Sequence, residues 1–251
     1  MKLLTPERHR IILQLLQEKE VVKLHELVEA TQCSESTIRR DLSQLEKEKK
    51  LKRVHGGAAL LQQKREELSV FEKSTKNIHE KQLIGKYAAS LIQDGDCIYL
   101  DAGTTTLQMI PYIEAKNIVV VTNGMMHIDA LLEKDIPTYV VGGLIKKKTN
   151  ALIGRGAIHS LQQYSFDKCF IGVNGVHIDF GYTTPDPEEA FMKQTAIHLS
   201  QQAFVLADHS KLNESTFAKI AELQEATMIT NETDEELLAM YKAKTTVEVV
   251  K

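Results

Sequence analysis

The chain has 251 residues, 43% hydrophobic and 26% charged, which suits an ordinary globular protein with room for a small and a medium domain. Its formal net charge of −3 argues against a generally basic polyanion-binding protein, and no apolar run approaches the ~18 residues that span a bilayer. Cys33, Cys97 and Cys169 are odd in number and outside any CxxC pair, so they read as small hydrophobes in a reducing compartment. The N-terminal stretch has neither an uninterrupted apolar segment nor a small-residue cleavage site, so a soluble cytoplasmic protein is expected.

Charge is unevenly spread. Residues 1–57 carry 12 Lys and Arg against 9 Asp and Glu, while the rest carry 19 against 25, a basic head on an acidic body. In the head, Thr5 is a plausible N-cap and Pro6 suits the first helical position, opening a helix over residues 6–18 with Ile11, Ile12, Leu15 and Leu16 on one face. After the short Val21-Val22 segment, a second helix over 24–30 buries Leu24, Leu27 and Val28. Ser34 then fits the N-cap of a third, whose inward side carries Ile38, Leu42 and Leu45. Ser36, Thr37, Arg39, Arg40 and Gln44 are left outward, and arginine can fork onto guanine while hydroxyls hold phosphates. Leu51-Lys52-Arg53-Val54-His55-Gly56-Gly57-Ala58 reads as a basic strand ending in a glycine turn, suited to a wing against the sugar-phosphate backbone. A charged helix face is often merely solvated; the order of helices, turn and basic wing favours double-stranded DNA. Asp41 either orients Arg39 or Arg40 or forms a local ion pair.

Two ungapped segments, Ser36-Thr37-Ile38-Arg39-Arg40-Asp41-Leu42 and Lys52-Arg53-Val54-His55-Gly56-Gly57-Ala58, resemble the signature of the DeoR family of bacterial sugar-metabolism regulators. The expected organisation is a winged helix-turn-helix at 1–59, a polar linker at 60–76 and an α/β effector domain at 77–251.

In the body, a helix over 78–92 precedes the Asp94-Gly95-Asp96 turn. Apolar β-type runs at 97–100, 118–121, 138–141, 169–172, 203–206, 228–230 and 247–250 alternate with helical segments, which predicts a largely parallel sheet covered by helices. Ligands of such sheets sit beyond the carboxyl ends of the strands. The turns there are polar: Asp101-Ala102-Gly103-Thr104-Thr105-Thr106, Thr122-Asn123-Gly124, Gly142-Gly143, Asn174-Gly175 and Asp208-His209-Ser210-Lys211. The first offers a glycine, hydroxyls and backbone N–H groups to a phosphate, Lys211 a cation, and Asp208 an acceptor for a sugar hydroxyl. Any one could be an ordinary tight turn; five at one sheet edge point to a phosphorylated ligand.

These motifs also resemble the DeoR-family effector domain, which implies a fold similar to ribose-5-phosphate isomerase and binding of phosphorylated sugars. An aldose–ketose isomerase is therefore the alternative. Such chemistry needs a carboxylate base, yet Gly172-Val173-Asn174-Gly175-Val176, where those isomerases carry an acidic cluster, has none. Asp179 and Pro185-Asp186-Pro187-Glu188-Glu189 lie several residues on, and Lys193 suits a phosphate or surface role better than a catalytic one. No catalytic residue is assigned. The nine histidines, His177 among them, show no metal-ligand spacing, so neither a metal nor a cofactor is expected. The segments around 96–106, 119–131 and 180–190 resemble most the fructose-operon repressors of low-GC Gram-positive bacteria. That resemblance implies fructose 1-phosphate as inducer; the residues themselves would suit other hexose phosphates, including tagatose 6-phosphate. A homo-oligomer, dimer or tetramer, is expected from the need to read a repeated operator.

Overall fold

Ile12 and Leu16, one turn apart in helix α1 (Thr5–Lys19), pack with Leu24 and Leu27 of α2 (Leu24–Thr31) and with Ile38, Leu42 and Leu45 of α3 (Glu35–Lys47). The protein is seen in a computed structural model that describes residues 3–19, 21–48, 50–54, 56–60 and 67–251. It divides into two units, residues 1–63 and 64–251. In the first, β1 (Val21–Lys23), β2 (Leu51–Val54) and β3 (Gly57–Leu60) form an antiparallel sheet with β3 in the middle, so the Val21-Val22 segment is its third strand. Gly56 turns the chain at φ +77°; a Cβ on Gly57 would lie 2.2 Å from the Val22 carbonyl oxygen, so only glycine permits this approach of β3 to β1. Thr5, expected as a cap, is the first helical residue; Glu7 reaches back to accept from the Leu4 N–H at 3.1 Å.

The second unit opens with α4 (Val70–Thr75), α5 (Ile78–Ser90), β4 (Cys97–Leu100), α6 (Thr104–Leu107), β5 (Val119–Thr122), α7 (Ile128–Glu133) and β6 (Thr138–Val140). There follow β7 (Leu144–Lys146), β8 (Ala151–Ile153), α8 (Arg155–Leu161), β9 (Phe166–Gly172), β10 (Gly175–His177), β11 (Gly181–Thr184) and α9 (Pro187–His198). The unit ends with β12 (Ser200–Leu206), β13 (Ala218–Ala221), β14 (Thr227–Thr230), α10 (Glu235–Lys242) and β15 (Val247–Val249). A seven-stranded parallel sheet runs in the order β15-β14-β12-β9-β4-β5-β6 and contains every expected strand. Tyr99, Cys169 and Ile171 meet Ile158, Met192 and Tyr241 on one face, while Ile98, Leu100 and Phe170 meet Ile84 and Ala88 of α5 on the other. Burial on both faces is why the inner strands β4, β5, β9 and β14 read as unbroken apolar runs.

Strand order places the functional edge. From β4 the chain steps outward to β5 and β6, then returns to β4's other side at β9 and proceeds to β12, β14 and β15. The reversal between β4 and β9 leaves a crevice where the turn after Leu100 faces the turn after Ile171. Segment 60–76, expected as a linker, departs from that reading. Residues 61–66 lie outside the described residues, but Glu67 is buried and ion-paired to Lys73 at 2.8 Å and Lys146 at 2.5 Å, and α4 starts on a capping box between Ser69 and Glu72. Its second half is thus folded into the sensor unit. No helix among the described residues is long and apolar enough to cross a membrane.

Candidate functional site

In the first unit, Ser34 caps α3 by accepting from the Thr37 N–H at 3.3 Å, and its hydroxyl lies 2.8 Å from that of Thr37 and 3.0 Å from that of Ser36. Beyond this cluster, Arg39, Arg40 and Gln44 are exposed on α3, as are Lys52 and Arg53 on β2. Arg39 is held by Glu35 one turn earlier, with bonds of 2.6 and 2.9 Å, while Gln44 bonds Glu48 at 3.0 Å. Arg53 donates to the Ser43 hydroxyl at 3.0 Å, which brings this β2 cation alongside α3. These groups form one exposed polar face with both hydrogen-bonding and positive character. His55 lies outside the described residues. Gly57, expected at the DNA surface, is instead buried in the strand pairing.

Asp41 takes neither role expected of it. It is buried, and its carboxylate accepts from Arg8 Nε at 2.7 Å and Nη2 at 2.9 Å, a bidentate bond from α1 to α3. That hydrogen bond outweighs desolvation and raises the Arg8 pKa above its ordinary value. The pair fixes how α3 sits on α1 and leaves Arg39 and Arg40 exposed.

In the second unit, a cavity opens at the reversal point. From the expected set it is lined by Asp101, Gly103, Thr104, Thr105, Asn174, Lys193, Asp208 and Lys211. Asp101 is its hinge: the carboxylate accepts from the Gly172 N–H at 3.1 Å and pairs with the Lys193 ammonium, joining the β4 turn, the end of β9 and α9. Lys193, read from the sequence as a phosphate or surface lysine, is buried in this pair. Asp208 accepts from Asn77 Nδ2 at 2.9 Å and from Ser210. Burial disfavours the Asp208 charge, but Lys211 and those hydrogen bonds more than offset it and hold the carboxyl below its ordinary pKa.

The remaining expected residues do not line the cavity. Thr106 is buried and spends its hydroxyl on the Asp101 carbonyl at 2.6 Å and the Gly103 N–H at 3.1 Å. Thr122 donates to the Leu100 carbonyl at 2.7 Å, and Asn123 accepts from the Ala102 N–H at 2.9 Å, so both brace the β4 turn. A Cβ on Gly124 would lie 2.3 Å from His127 Nδ1, so this glycine serves packing against a buried histidine. Gly143 packs on Ile153 and Ala157, and a Cβ on Gly175 would strike the Glu214 carbonyl oxygen at 2.6 Å. Gly142 is exposed and does not line the cavity. Turns after β5 and β6 lie on the side away from β9, so they support the site without facing it.

Several lining residues escaped the sequence reading: Lys73, Lys76, Asn77, Lys81, Thr149 and Glu189. One signal was present. Lys81 shares the apolar stripe of α5 with Ile84, Gly85 and Ala88, and a charge at such a position asks for a purpose. Burial lowers the Lys81 pKa to about 8; Lys211, Lys73 and Lys76 push the same way and Asp208 opposes them. Burial likewise depresses Lys211, with Asp208 opposing and Lys76 and Lys73 adding to it. Burial works against the charge of Glu189, yet Lys193, Lys146 and Thr149 together hold its carboxyl below the usual value. Altogether five lysines face three carboxylates, a formal excess of two positive charges that matches a phosphate dianion. Glu189 and Asp208, held ionised and bonded, are poorly suited to accept a proton from carbon, which needs a base poised near the working pH. Among the described residues no group of three His, Cys, Asp or Glu side chains is placed to hold a metal ion.

Comparison with known proteins bears on both units. Residues 8–64 match the DeoR-like helix-turn-helix domain, and residues 76–233 match the DeoR C terminal sensor domain. The uncharacterized HTH-type transcriptional regulator FruR of Bacillus subtilis (strain 168) is 53% identical over 250 residues, 99% of this chain and 100% of that protein. The HTH-type transcriptional repressor GlcR of the same organism is 35% identical over 89% of this chain and 86% of its own. The lactose phosphotransferase system repressor of Staphylococcus aureus (strain NCTC 8325 / PS 47) is 33% identical over 97% of this chain and 98% of its own. Among solved structures, ribose 5-phosphate isomerase A from Methanocaldococcus jannaschii superposes with a TM-score of 0.41 at 19% identity, covering 55% of each chain.

Proposed function

Because the chain belongs to the DeoR family of transcriptional repressors of sugar operons, we propose that it represses fructose-utilisation genes and is induced by fructose 1-phosphate bound in the lysine-rich cavity. It is a regulator and not an enzyme. The observation that carries the ligand class is the excess of two positive charges in a cavity that also presents Thr104, Thr105 and Asn174. A phosphate dianion neutralises the excess, while Asp101, Glu189, Asp208 and Asn174 suit sugar hydroxyls as acceptors. Fructose is favoured by the motifs around 96–106, 119–131 and 180–190 and by the extent of similarity to FruR.

On the DNA side, Arg39 and Arg40 are the base-reading candidates in the major groove, with Ser34, Ser36, Thr37 and Gln44 around them. Lys52 and Arg53 contact phosphates from the wing. The repressor acts in the cytoplasm as a homo-oligomer whose paired recognition helices meet a repeated operator. Sugar phosphate binds one conformation better, and operator affinity falls by the coupling energy, typically ~1–3 kcal/mol.

Calorimetric titration of the full chain with fructose 1-phosphate, tagatose 6-phosphate and unphosphorylated fructose tests this reading. The expected result is tightest binding of fructose 1-phosphate, accompanied by operator release in a gel-shift assay with the same compound. Preference for another sugar phosphate would overturn the fructose assignment alone; binding of none would overturn the sensor.

A further inference from the structure

The segment that follows the wing in sequence forms one wall of the cavity. Leu68, Val70, Lys73, Lys76 and Asn77 all line it, although none lies on the sheet's carboxyl edge. Asn77 takes a left-handed turn at φ 52° between α4 and α5 and carries its amide to Asp208 and to the Ser210 hydroxyl, 3.2 Å away. Lys81, one turn into α5, donates to the Lys73 carbonyl.

Charge is not uniform along the cavity. Toward α9, the Lys193 ammonium is met by Asp101, and Glu189 is met by Lys146 at 3.0 Å and by the Thr149 hydroxyl at 2.6 Å. Toward the incoming segment, Lys73, Lys76, Lys81 and Lys211 act on one another, with Asp208 among them and Glu214 also acting on Lys211. The surplus positive charge therefore belongs to this end, and two of its four lysines ride on residues 67–76. Lys73 is held at 2.8 Å by the buried Glu67, whose other oxygen holds Lys146. An anion arriving here would compete with Glu67 for Lys73.

Resting on the sugar-phosphate reading above, we propose that Lys73, Lys76, Lys81 and Lys211 form the phosphate subsite, and that the effector, by engaging Lys73 and Lys76, takes Lys73 from Glu67 and adds a second tie between residues 67–77 and the sensor beside the Glu67–Lys146 pair. The sugar then extends toward Asp101, Thr149 and Glu189. Since residues 67–77 continue in sequence into the stretch that leads back to the wing strand, the ligand acts on the chain segment through which the DNA-binding unit is attached. This also gives Lys81 a reason to be where it is: its charge, costly when buried among lysines, is stabilised once a dianion arrives.

The test is calorimetry on the full chain with fructose 1-phosphate and with inorganic phosphate, alongside hydrogen exchange over residues 67–77. Lys76→Gln alters an exposed side chain, so folding is not at stake; it and Lys73→Gln are expected to weaken fructose 1-phosphate about tenfold each, the size of a lost charge-assisted hydrogen bond. Glu67→Gln is expected to change affinity in the other direction, tightening it roughly threefold by releasing Lys73. A merely structural role for Glu67 would not produce that sign. In the unsubstituted chain, ligand should slow exchange over 67–77, and in the Lys73→Gln, Lys76→Gln double variant it should not. Lys242→Gln, on an exposed part of α10, serves as the control. Unchanged affinity in both lysine variants, or weaker binding by Glu67→Gln, overturns the subsite while the sensor reading stands. Absence of binding to the unsubstituted chain overturns both.

Discussion

In the DNA-binding unit the cations assigned to function stand in solvent, with Arg39, Arg40, Lys52 and Arg53 all exposed, and the charges below the surface are tied off in the Arg8–Asp41 pair. In the sensor unit the arrangement is reversed: Lys81 and Lys193 are buried and Lys211 half-buried, and the cavity keeps a formal surplus of two positive charges. Each pattern follows from its target. A DNA duplex is a long polyanion, and exposed cations gain affinity by releasing its counterions, so they need reach and hydration more than burial. A single small dianion offers few contacts, and a recessed cavity with more cations than carboxylates makes each contact count where water screens it less. Exposed charge in the head thus suits the reading surface we propose, whereas buried charge there suits a scaffold.

The sharpest way to break this division is at Asp41. If the residue belongs to the scaffold, Asp41→Ala leaves Arg8 buried without its partner and should cost about 3 kcal/mol, the low end for a broken buried pair because this one lies just beneath the surface. Urea denaturation of the full chain, followed at a probe placed in residues 1–60, reads the loss. The Arg8→Met, Asp41→Leu double variant should recover most of it, since two apolar side chains leave no orphan charge. Equal loss in the single and double variants would contradict the scaffold role.

His127 offers the corresponding test in the sensor. It is buried beneath the β4 turn, its Nε2 3.1 Å from the Thr106 hydroxyl and its Nδ1 without a hydrogen-bond partner among the described residues. Burial lowers its pKa from 6.5 to about 4. Since the folded value is the lower one, the unfolded chain takes up the proton first as pH falls, and stability is lost from pH 6.5 down to about 4. The expected loss from this group is about 2 kcal/mol by pH 5, at 1.4 kcal/mol per unit. His127→Gln should flatten the unfolding free energy between pH 7 and 5 by that amount, whatever its effect at neutral pH. An unaltered slope would mean that the histidine carries a proton in the folded sensor, and that buried charge there is more freely tolerated than the cavity implies.

How much of this was legible beforehand also divides along the line between apolar pattern and charge. The inner strands could be read because burial on both faces turns them into unbroken runs such as Cys97–Leu100, punctuated by turn residues, and the edge strands because they are short β-type apolar runs at the same spacing. Ser34 could be read because capping is local chemistry. The small sheet of β10, β11 and β13 was missed because its strands are short and polar, and β13 joins from a distant part of the chain. The fate of a charge depends on which element arrives opposite, and local pattern does not carry that. Asp41 was weighed against its sequence neighbours Arg39 and Arg40, while its partner is Arg8, 33 positions away. Lys73 and Lys76 look like a solvated linker face until α4 is seen against the β4 turn. Glu189 lies beyond the Gly172-Val173-Asn174 stretch in sequence but returns to the same cavity on α9.

The reading surface itself is tested next. Arg39→Ala should weaken specific operator binding by about 1–2 kcal/mol, below the full value of a bidentate base contact because Arg39 must first give up Glu35. Fluorescence anisotropy with operator and scrambled duplexes would show the loss on the operator alone. Equal loss on both duplexes would move Arg39 from reading bases to holding phosphates. Effector affinity should not move in this variant, because none of the described cavity-lining residues comes from the first unit.

The smallest effect separates the two uses of charge most directly. Arg53→Gln should lower the magnitude of the salt slope of operator binding by about 1, the change expected when one phosphate contact stops releasing a counterion, and should weaken operator and scrambled duplexes alike. Effector binding should respond to salt far less, since Lys81 and Lys193 are buried and a single dianion carries no condensed counterion layer to release. The two slopes, measured by anisotropy and calorimetry over the same salt series, should therefore differ several-fold in the same protein. If fructose 1-phosphate binding instead fell as steeply as operator binding, the cavity lysines would be acting in open solvent. The contrast between a hydrated polyanion surface and a buried dianion site would then give way to one electrostatic regime across the chain.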